Sequence, residues 1–187
     1  MDKDIREKAA KTAVDGFIVV ERIYRHAYQT LTALKEKLKG ELNLKVESPM
    51  FSNPIYSADP KSWLYHFRGL YLAKAKVSVE EYMKREMPVL FLQASLYNPN
   101  GQEPILRYGI IEKIFNISLW KGARFDDYFK MTLIQVHDER KSGDVEANSC
   151  EAKVHFDEKP LLDIREDRHI VALAEEIGDK YAKHLSE

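Results

Sequence analysis

The chain has 187 residues, of which 44% are hydrophobic and 32% charged, and its formal net charge is −1. This length suits one well-buried domain better than two, and the small net charge argues against a whole-surface attraction to nucleic acid or to an anionic membrane. Cys150 is the single cysteine, which excludes an intramolecular disulfide and a cysteine-rich zinc site.

Targeting and phosphate-binding motifs are missing from the sequence. No apolar run approaches the roughly 20 residues of a membrane span, and the first seven residues, Met-Asp-Lys-Asp-Ile-Arg-Glu, lack the apolar core of a secretory signal. The eight glycines form neither a Walker loop nor a Gly-x-Gly-x-x-Gly motif, and Gly-x-Ser-x-Gly is also absent. We therefore expect a cytoplasmic protein with no membrane contact.

The first 40 residues predict one long helix, or two that meet at Gly16. One broad face repeats at helical spacing and ends in a lysine-rich turn before Gly40; it consists of Ala13, Phe17, Val20, Tyr24, Ala27, Tyr28, Leu31, Leu34 and Leu38. Ile18, Val19 and Ile23 widen this arc beyond what one sheet face can cover. A helix that is apolar over a wide arc is either deeply buried or shared, so we expect a homodimer through this helix.

Residues 43–61 contain three prolines without a period and predict a crossing loop. From residue 62 the pattern alternates, with Trp63, Tyr65 and Phe67 on one face, which predicts a strand. Ser78 and Glu81 then have the spacing of a capping box, which predicts a short helix over 79–85.

Val89–Tyr97 and Ile105–Phe115 predict an antiparallel hairpin around Asn98-Pro99-Asn100-Gly101, because Asn-Gly readily adopts the positive backbone angles of a tight turn. Both arms contain segments that are apolar on both faces, which is typical of central strands covered on two sides.

A second hairpin is predicted between Phe129–Val136 and Cys150–Phe156, since both stretches alternate apolar and polar residues. A two-residue loop at Ser142 and Gly143 would place Leu133 opposite Ala152 and align the two apolar faces. The Glu151 and Lys153 side chains would then point to solvent.

A final helix is predicted over 166–186 from the stripe of Ile170, Leu173, Ala174, Ile177, Tyr181 and Leu185. The whole pattern predicts a single α+β domain over 1–187, with a helical segment at 1–40 and a sheet within 62–157. Short connections between strands favour a mainly antiparallel sheet of about five strands. The two terminal helices would cover the same sheet face in a two-layer arrangement.

Two aromatic groups are candidate ligand- or partner-binding residues. Trp120, Arg124 and Phe125 mix rings with a cation in a segment predicted as loop, and loops carry function more often than strands do. Trp63 and Tyr65 form the second group, for which packing into the core is the competing interpretation.

A metal-dependent nuclease or phosphodiesterase is an alternative, in which Asp126, Asp127 and Glu151 hold the ion and Lys153 steadies the attacked phosphate. The Glu151-Ala-Lys153 spacing is weak evidence, because the same pattern of an acidic residue two positions before a lysine recurs at Glu139-Arg-Lys141 and at Asp157-Glu-Lys159. The six histidines show no paired spacing of a metal site. Cys150 is expected to be a buried, inert thiol.

The leading interpretation is a non-catalytic regulatory module that binds a protein or a small ligand through the sheet and the loop after Asn116. No catalytic residue, metal or cofactor is predicted for it. The nuclease is one alternative, and a self-associating structural protein built on the first helix is another.

Overall fold

The computed structural model describes residues 3–52, 66–75, 87–96, 103–118, 124–139, 142–147 and 150–185. Its helices and strands, in chain order, are α1 (Lys3–Glu41), β1 (Val46–Glu47), β2 (Phe51–Ser52), β3 (Phe67–Ala73), β4 (Val89–Ser95), β5 (Ile105–Phe115), α2 (Phe125–Glu139), β6 (Gly143–Ala147), β7 (Cys150–Pro160) and α3 (Asp167–Tyr181), with a short 3-10 turn at Leu161–Asp163 before α3. None of the described helices combines the length and the apolar character that a membrane crossing requires.

All strand pairs in the sheet are antiparallel, in the order β1-β3-β4-β5-β7-β6, and β2 also pairs with β3. The predicted pairing of β4 with β5 is confirmed, with Val89 opposite Ile111 and Ser95 opposite Ile105. The Asn98–Gly101 turn and the helix predicted at 79–85 lie outside the described residues.

The sheet is covered on both faces, as the apolar character of β4 and β5 predicts. Leu90 and Leu92 face a core shared with α1 and α3, while Val89 and Phe91 face a second core shared with α2. The prediction of an α+β domain with a mostly antiparallel sheet is confirmed, and the two terminal helices pack together on one face. Helix α2 adds a third layer on the opposite face.

The hairpin predicted from Phe129–Val136 is wrong, because this stretch belongs to α2. Phe129, Leu133 and Val136 are fully buried, and their spacing is that of one helix face. Strand β7 pairs instead with β5 and β6, so that Ala152 lies between Ile114 and Val145. The stretch carries both periods, and burial of a helix face against the sheet decides between them.

Helix α3 is fastened to the sheet by two buried tyrosines. The hydroxyl of Tyr108 on β5 donates to Glu176 Oε1 at 2.6 Å, and the hydroxyl of Tyr181 donates to Asp157 Oδ2 at 2.7 Å. Lys180 also pairs with Asp157. These contacts fix α3 in both its rotation and its position along β5 and β7.

Helix α1 runs unbroken through Gly16 for 39 residues, and only its second part packs on the sheet. The side chains of Ala27, Leu31, Leu34 and Leu38 are fully buried in the core with α3. Every residue from 4 to 19 is exposed. We call residues 4–19 the exposed half of α1.

Candidate functional site

Few of the predicted binding residues can be placed. Trp63, Tyr65 and Trp120 lie outside the described residues, as does the side chain of Phe125. Arg124 is exposed and immediately precedes α2, which begins at Phe125.

The backbone of Arg124 has a defined role at this helix start. Its N–H donates to Asp127 Oδ2 at 2.9 Å, and the Asp127 N–H donates back to the Arg124 carbonyl at 3.0 Å. This reciprocal pair satisfies donors that a helix N-terminus otherwise leaves open. The binding role of the Arg124 side chain stays a prediction.

The four residues of the nuclease alternative take part in separate local contacts. Asp126 accepts a hydrogen bond from the hydroxyl of Tyr71 on β3, and Asp127 caps α2. On β7, Glu151 accepts from the Asn116 side-chain amide at 2.7 Å.

Lys153 pairs with Glu112 on β5, with Nζ and Oε2 2.9 Å apart, and this hydrogen bond lowers the pKa of Glu112. Asp126 thus contacts β3, whereas Glu151 lies on β7, and β4 and β5 stand between these two strands. In the part of the chain that the structure describes, no three His, Cys, Asp or Glu residues could hold a metal ion together.

A polar cluster lies buried between the sheet and α2, and its centre is the fully buried Arg107 of β5. The guanidinium donates from Nε to Glu158 Oε1 at 2.6 Å and from Nη1 to Ser95 Oγ at 3.1 Å. Weaker contacts from Nη1 reach the Val136 carbonyl at 3.3 Å and Gln93 Oε1 at 3.4 Å. The ring of Phe156 lies 5.7 Å from the guanidinium carbon.

Two further hydrogen bonds tie the same cluster to α2. The Gln93 side-chain amide donates to the Leu133 carbonyl, and Ser95 Oγ lies 3.0 Å from His137 Nδ1. Among the described residues, no buried side-chain nitrogen or oxygen lacks a hydrogen-bond partner. The cluster therefore joins α2 to the sheet through satisfied internal bonds, which is the arrangement expected of a structural network.

This cluster was not predicted from the sequence, although one signal for it was present. Gln93, Ser95 and Arg107 are polar residues inside the apolar runs of β4 and β5. In the pairing of these strands Gln93 stands opposite Arg107, and all three side chains belong to the face that α2 covers. Polar residues at alternate positions of two paired buried strands are the sign of such a network.

The exposed half of α1 carries five of the six large apolar residues that are exposed in the described part of the chain, the sixth being Tyr28. Its exposed large apolar side chains, given as the exposed fraction of each residue, are Ile5 at 56%, Val14 at 57%, Phe17 at 73%, Ile18 at 40% and Val19 at 55%. Gly16 lies among them, and a Cβ atom added at Gly16 would have no described atom within 4 Å. Arg25 and Glu21 form an ion pair at the base of this segment.

Comparisons with known proteins give no match, whether with family models, curated proteins or solved structures. The polar cluster is closed by its own bonds, whereas the exposed half of α1 presents contiguous apolar side chains with no cover from the described part of the chain. This surface is the candidate functional site.

Proposed function

We propose that this chain is a non-catalytic protein-binding module, and that it contacts its partner through the exposed half of α1. The observation that carries the proposal is the exposure of Val14, Phe17 and Ile18, which are neighbours on one helix face at steps of three and four. Single exposed apolar residues are ordinary, but contiguous large ones mark interaction surfaces.

The physics of an isolated helix supports this proposal. Helix formation in water is marginal for short segments, and most helix stability in proteins comes from packing one apolar face. Gly16 adds a further cost of about 1 kcal/mol relative to alanine in a helix interior. A partner that covers Phe17 and its neighbours would supply the packing that the sheet supplies from Ala27 onward.

The buried polar groups support a structural role for the rest of the domain. The side chain of Ser95 is hydrogen-bonded to Arg107 and to His137. Arg107 also donates to Glu158 and to the Val136 carbonyl of α2. A reactive serine or histidine needs access to substrate, whereas Ser95 and His137 are both buried. The domain thus serves as a rigid base from which α1 projects.

A matched pair of variants tests the proposal. Val14→Ser with Phe17→Ser removes apolar surface, while Lys11→Ser with Asp15→Ser changes exposed polar residues of the same segment. Wild type and both variants are used as tagged baits, and the protein retained on each is quantified. We expect the apolar variant to lose retained protein that the polar variant keeps. Equal retention by all three baits would remove the proposal.

A further inference from the structure

We infer that the partner of the exposed half of α1 is a second copy of this chain, paired antiparallel about a two-fold axis near Asp15. This inference rests on the proposed function and names the partner that the same surface takes. It follows from the spacing of the apolar residues, from where the sheet begins to cover α1, and from the sizes of the side chains along the helix.

Nine apolar residues of α1 form one seam with alternating steps of three and four; Val14 flanks this seam, whereas the exposed Ile5, Ile18 and Val19 lie off it. The seam consists of Ala10, Ala13, Phe17, Val20, Tyr24, Ala27, Leu31, Leu34 and Leu38. Such spacing keeps a stripe facing one partner helix along a left-handed pair. From Ala27 onward the seam is buried within this chain, and before residue 20 every position of it is exposed. The element that binds the seam before residue 20 is therefore expected to be a helix.

The sheet restricts the direction of a second α1. In both copies the seam from Ala27 onward is covered by that copy's own core. A parallel pair would bring the two cores to the same height on facing seams, where they would collide. An antiparallel pair centred on Asp15 sets residue 3 of one copy beside residue 27 of the other, so the two cores lie at opposite ends.

Side-chain sizes favour this alignment. With the centre at Asp15, Phe17 lies at the height of Ala13 of the second copy, and Val20 at the height of Ala10. Large residues then face small ones, which allows two helices to interdigitate without voids. Tyr24 would meet Arg6 of the second copy, an aromatic ring facing a cation.

Gly16 has a role in this arrangement that it lacks within one chain. It lies beside the axis, and a Cβ there would meet nothing within 4 Å in this chain. Glycine at a helix crossing lets two backbones approach closely. The helix tolerates Gly16 at a cost in its own stability, and a close approach at the axis would account for that cost.

The area available is near the lower limit for a specific dimer. Residues 3–26 span about 36 Å as a helix about 12 Å across, so half of their cylinder has at most roughly 700 Å², and this chain already covers part of it at Val20, Ile23, Tyr24 and His26. Stable interfaces bury about 800 Å² on each partner, with a lower limit near 600 Å². A dimer at this lower end is expected to form at micromolar concentration.

Sedimentation equilibrium of the full chain at micromolar concentration tests the inference. We expect the dimer mass for wild type, the monomer mass for Phe17→Glu, and the dimer mass for the control Lys11→Glu, whose side chain lies off the seam. Unfolding by urea should have the same midpoint for the folded core in both variants, because residues 4–19 contact no described part of the core. A wild-type monomer at tens of micromolar would overturn the inference.

Disulfide trapping tests the direction. Gly16→Cys places two thiols beside the axis and should give a covalent dimer under mild oxidation, while the native Cys150 is buried. Glu21→Cys would lie opposite residue 9 of the second copy, about 18 Å from its equivalent, and should stay monomeric on a denaturing gel. Efficient linkage of Glu21→Cys would overturn the antiparallel pairing.

These experiments distinguish failure of the proposed protein-binding function from failure of the proposed dimer. A monomeric wild type whose Val14→Ser and Phe17→Ser variant still loses retained protein keeps the proposed function and removes the second copy as the partner. A monomeric wild type whose variant loses nothing removes both.

Discussion

Arg107 Nε donates to Glu158 Oε1 at 2.6 Å, and this bond joins a fully buried cation on β5 to a carboxylate that is 42% exposed at the end of β7. The ion pair thus links the buried guanidinium to a carboxylate at the surface. Removing a buried charge from water is costly unless hydrogen bonds replace the lost hydration. Here Ser95, Gln93 and the Val136 carbonyl supply the remaining acceptors.

Replacing this cation should destabilise the domain. Arg107→Met removes the donor to Ser95 Oγ and to the Val136 carbonyl and breaks the ion pair with Glu158, so we expect a loss of about 2–4 kcal/mol in the free energy of unfolding. Urea denaturation of both proteins measures it. Arg168→Met is the control, because the Arg168 side chain is 75% exposed and pairs with the nearby Glu166; its effect should stay within about 0.5 kcal/mol. Equal stability of wild type and Arg107→Met would show that the cluster contributes nothing net.

Gly109 should not accept a side chain. A Cβ there would lie 2.0 Å from the His155 carbonyl oxygen and 2.6 Å from the Phe156 Cα, and both are backbone atoms of the paired strand β7. We expect Gly109→Ala to separate β5 from β7 locally and to lower the free energy of unfolding by about 3 kcal/mol. Gly40→Ala is the matched control, because a Cβ at Gly40 meets nothing within 4 Å. A neutral Gly109→Ala would contradict the close strand approach.

The sheet centre was predictable because local and tertiary signals agree there. Asn98-Pro99-Asn100-Gly101 indicates a turn, and the residues on either side are apolar on both faces. The structure pairs these strands antiparallel and covers them on two sides. The terminal helices were predictable for a similar reason, since each carries a long stripe at helical spacing.

Helix α2 was not predictable from its own residues. Phe129, Met131 and Leu133 alternate like a strand, while Phe129, Leu133 and Val136 repeat like a helix. The choice depends on the second sheet face, which needs cover over Val89, Phe91 and their neighbours. Only the tertiary arrangement contains that information.

The apolar character of the α1 surface was predictable from the sequence, but the length of helix that is left exposed was not. The wide apolar arc of α1 indicates a shared surface, with Ile18 and Val19 among its residues. Where the sheet stops covering the helix depends on sheet width and on the placement of α3. The sequence contains no local marker for the boundary between residue 19 and Ala27.

Magnesium and manganese should leave the melting temperature unchanged. Ion binding to the native state raises the melting temperature by mass action, but Asp126, Asp127 and Glu151 are bonded to Tyr71, Arg124 and Asn116 respectively. Thermal unfolding with millimolar metal against a chelator control measures this. A rise with manganese that Glu151→Gln abolishes would instead favour the nuclease alternative.

The contribution of Asp127 to the stability of α2 should be measurable by the same thermal unfolding experiment. Asp127→Ala removes the acceptor for the Arg124 N–H, which lies 2.9 Å from Oδ2. We expect a loss of about 1 kcal/mol, independent of any added metal, as for other helix caps. Asp144→Ala serves as the control, since Asp144 is an exposed carboxylate on β6. A metal-dependent effect of Asp127→Ala would show that the carboxylate does more than cap the helix.

Stability should fall on both the acid and the alkaline side through the contacts of α3. Burial alone would raise the pKa of Asp157, but hydrogen bonds from Lys180 and Tyr181 outweigh it and hold that pKa below its usual 3.8. The hydrogen bond from Lys159, and then that from Tyr108, lower the pKa of Glu176 below 4.5.

A carboxylate with a lowered folded-state pKa contributes stability that is present above its usual pKa and lost as the pH falls through the lowered one. Burial first, and the carboxylate partner second, raise the pKa values of Tyr108 and Tyr181. Their contribution is complete below the usual value of 10.0 and is lost as the pH rises above it. We therefore expect a plateau between about pH 5 and pH 9, with losses beyond both edges.

Urea unfolding across this pH range measures the plateau, and Asp157→Asn is the informative variant. It should lower stability at pH 7 and flatten the acid limb, because the group that must be protonated there is gone. The effect should be below about 1 kcal/mol, since the carboxylate is 34% exposed and solvent screens its ion pair. Glu175→Gln changes an exposed carboxylate of the same helix and should leave the acid limb as it is. An acid limb that is equally steep in Asp157→Asn and wild type would show that the Asp157 contacts do not control acid unfolding.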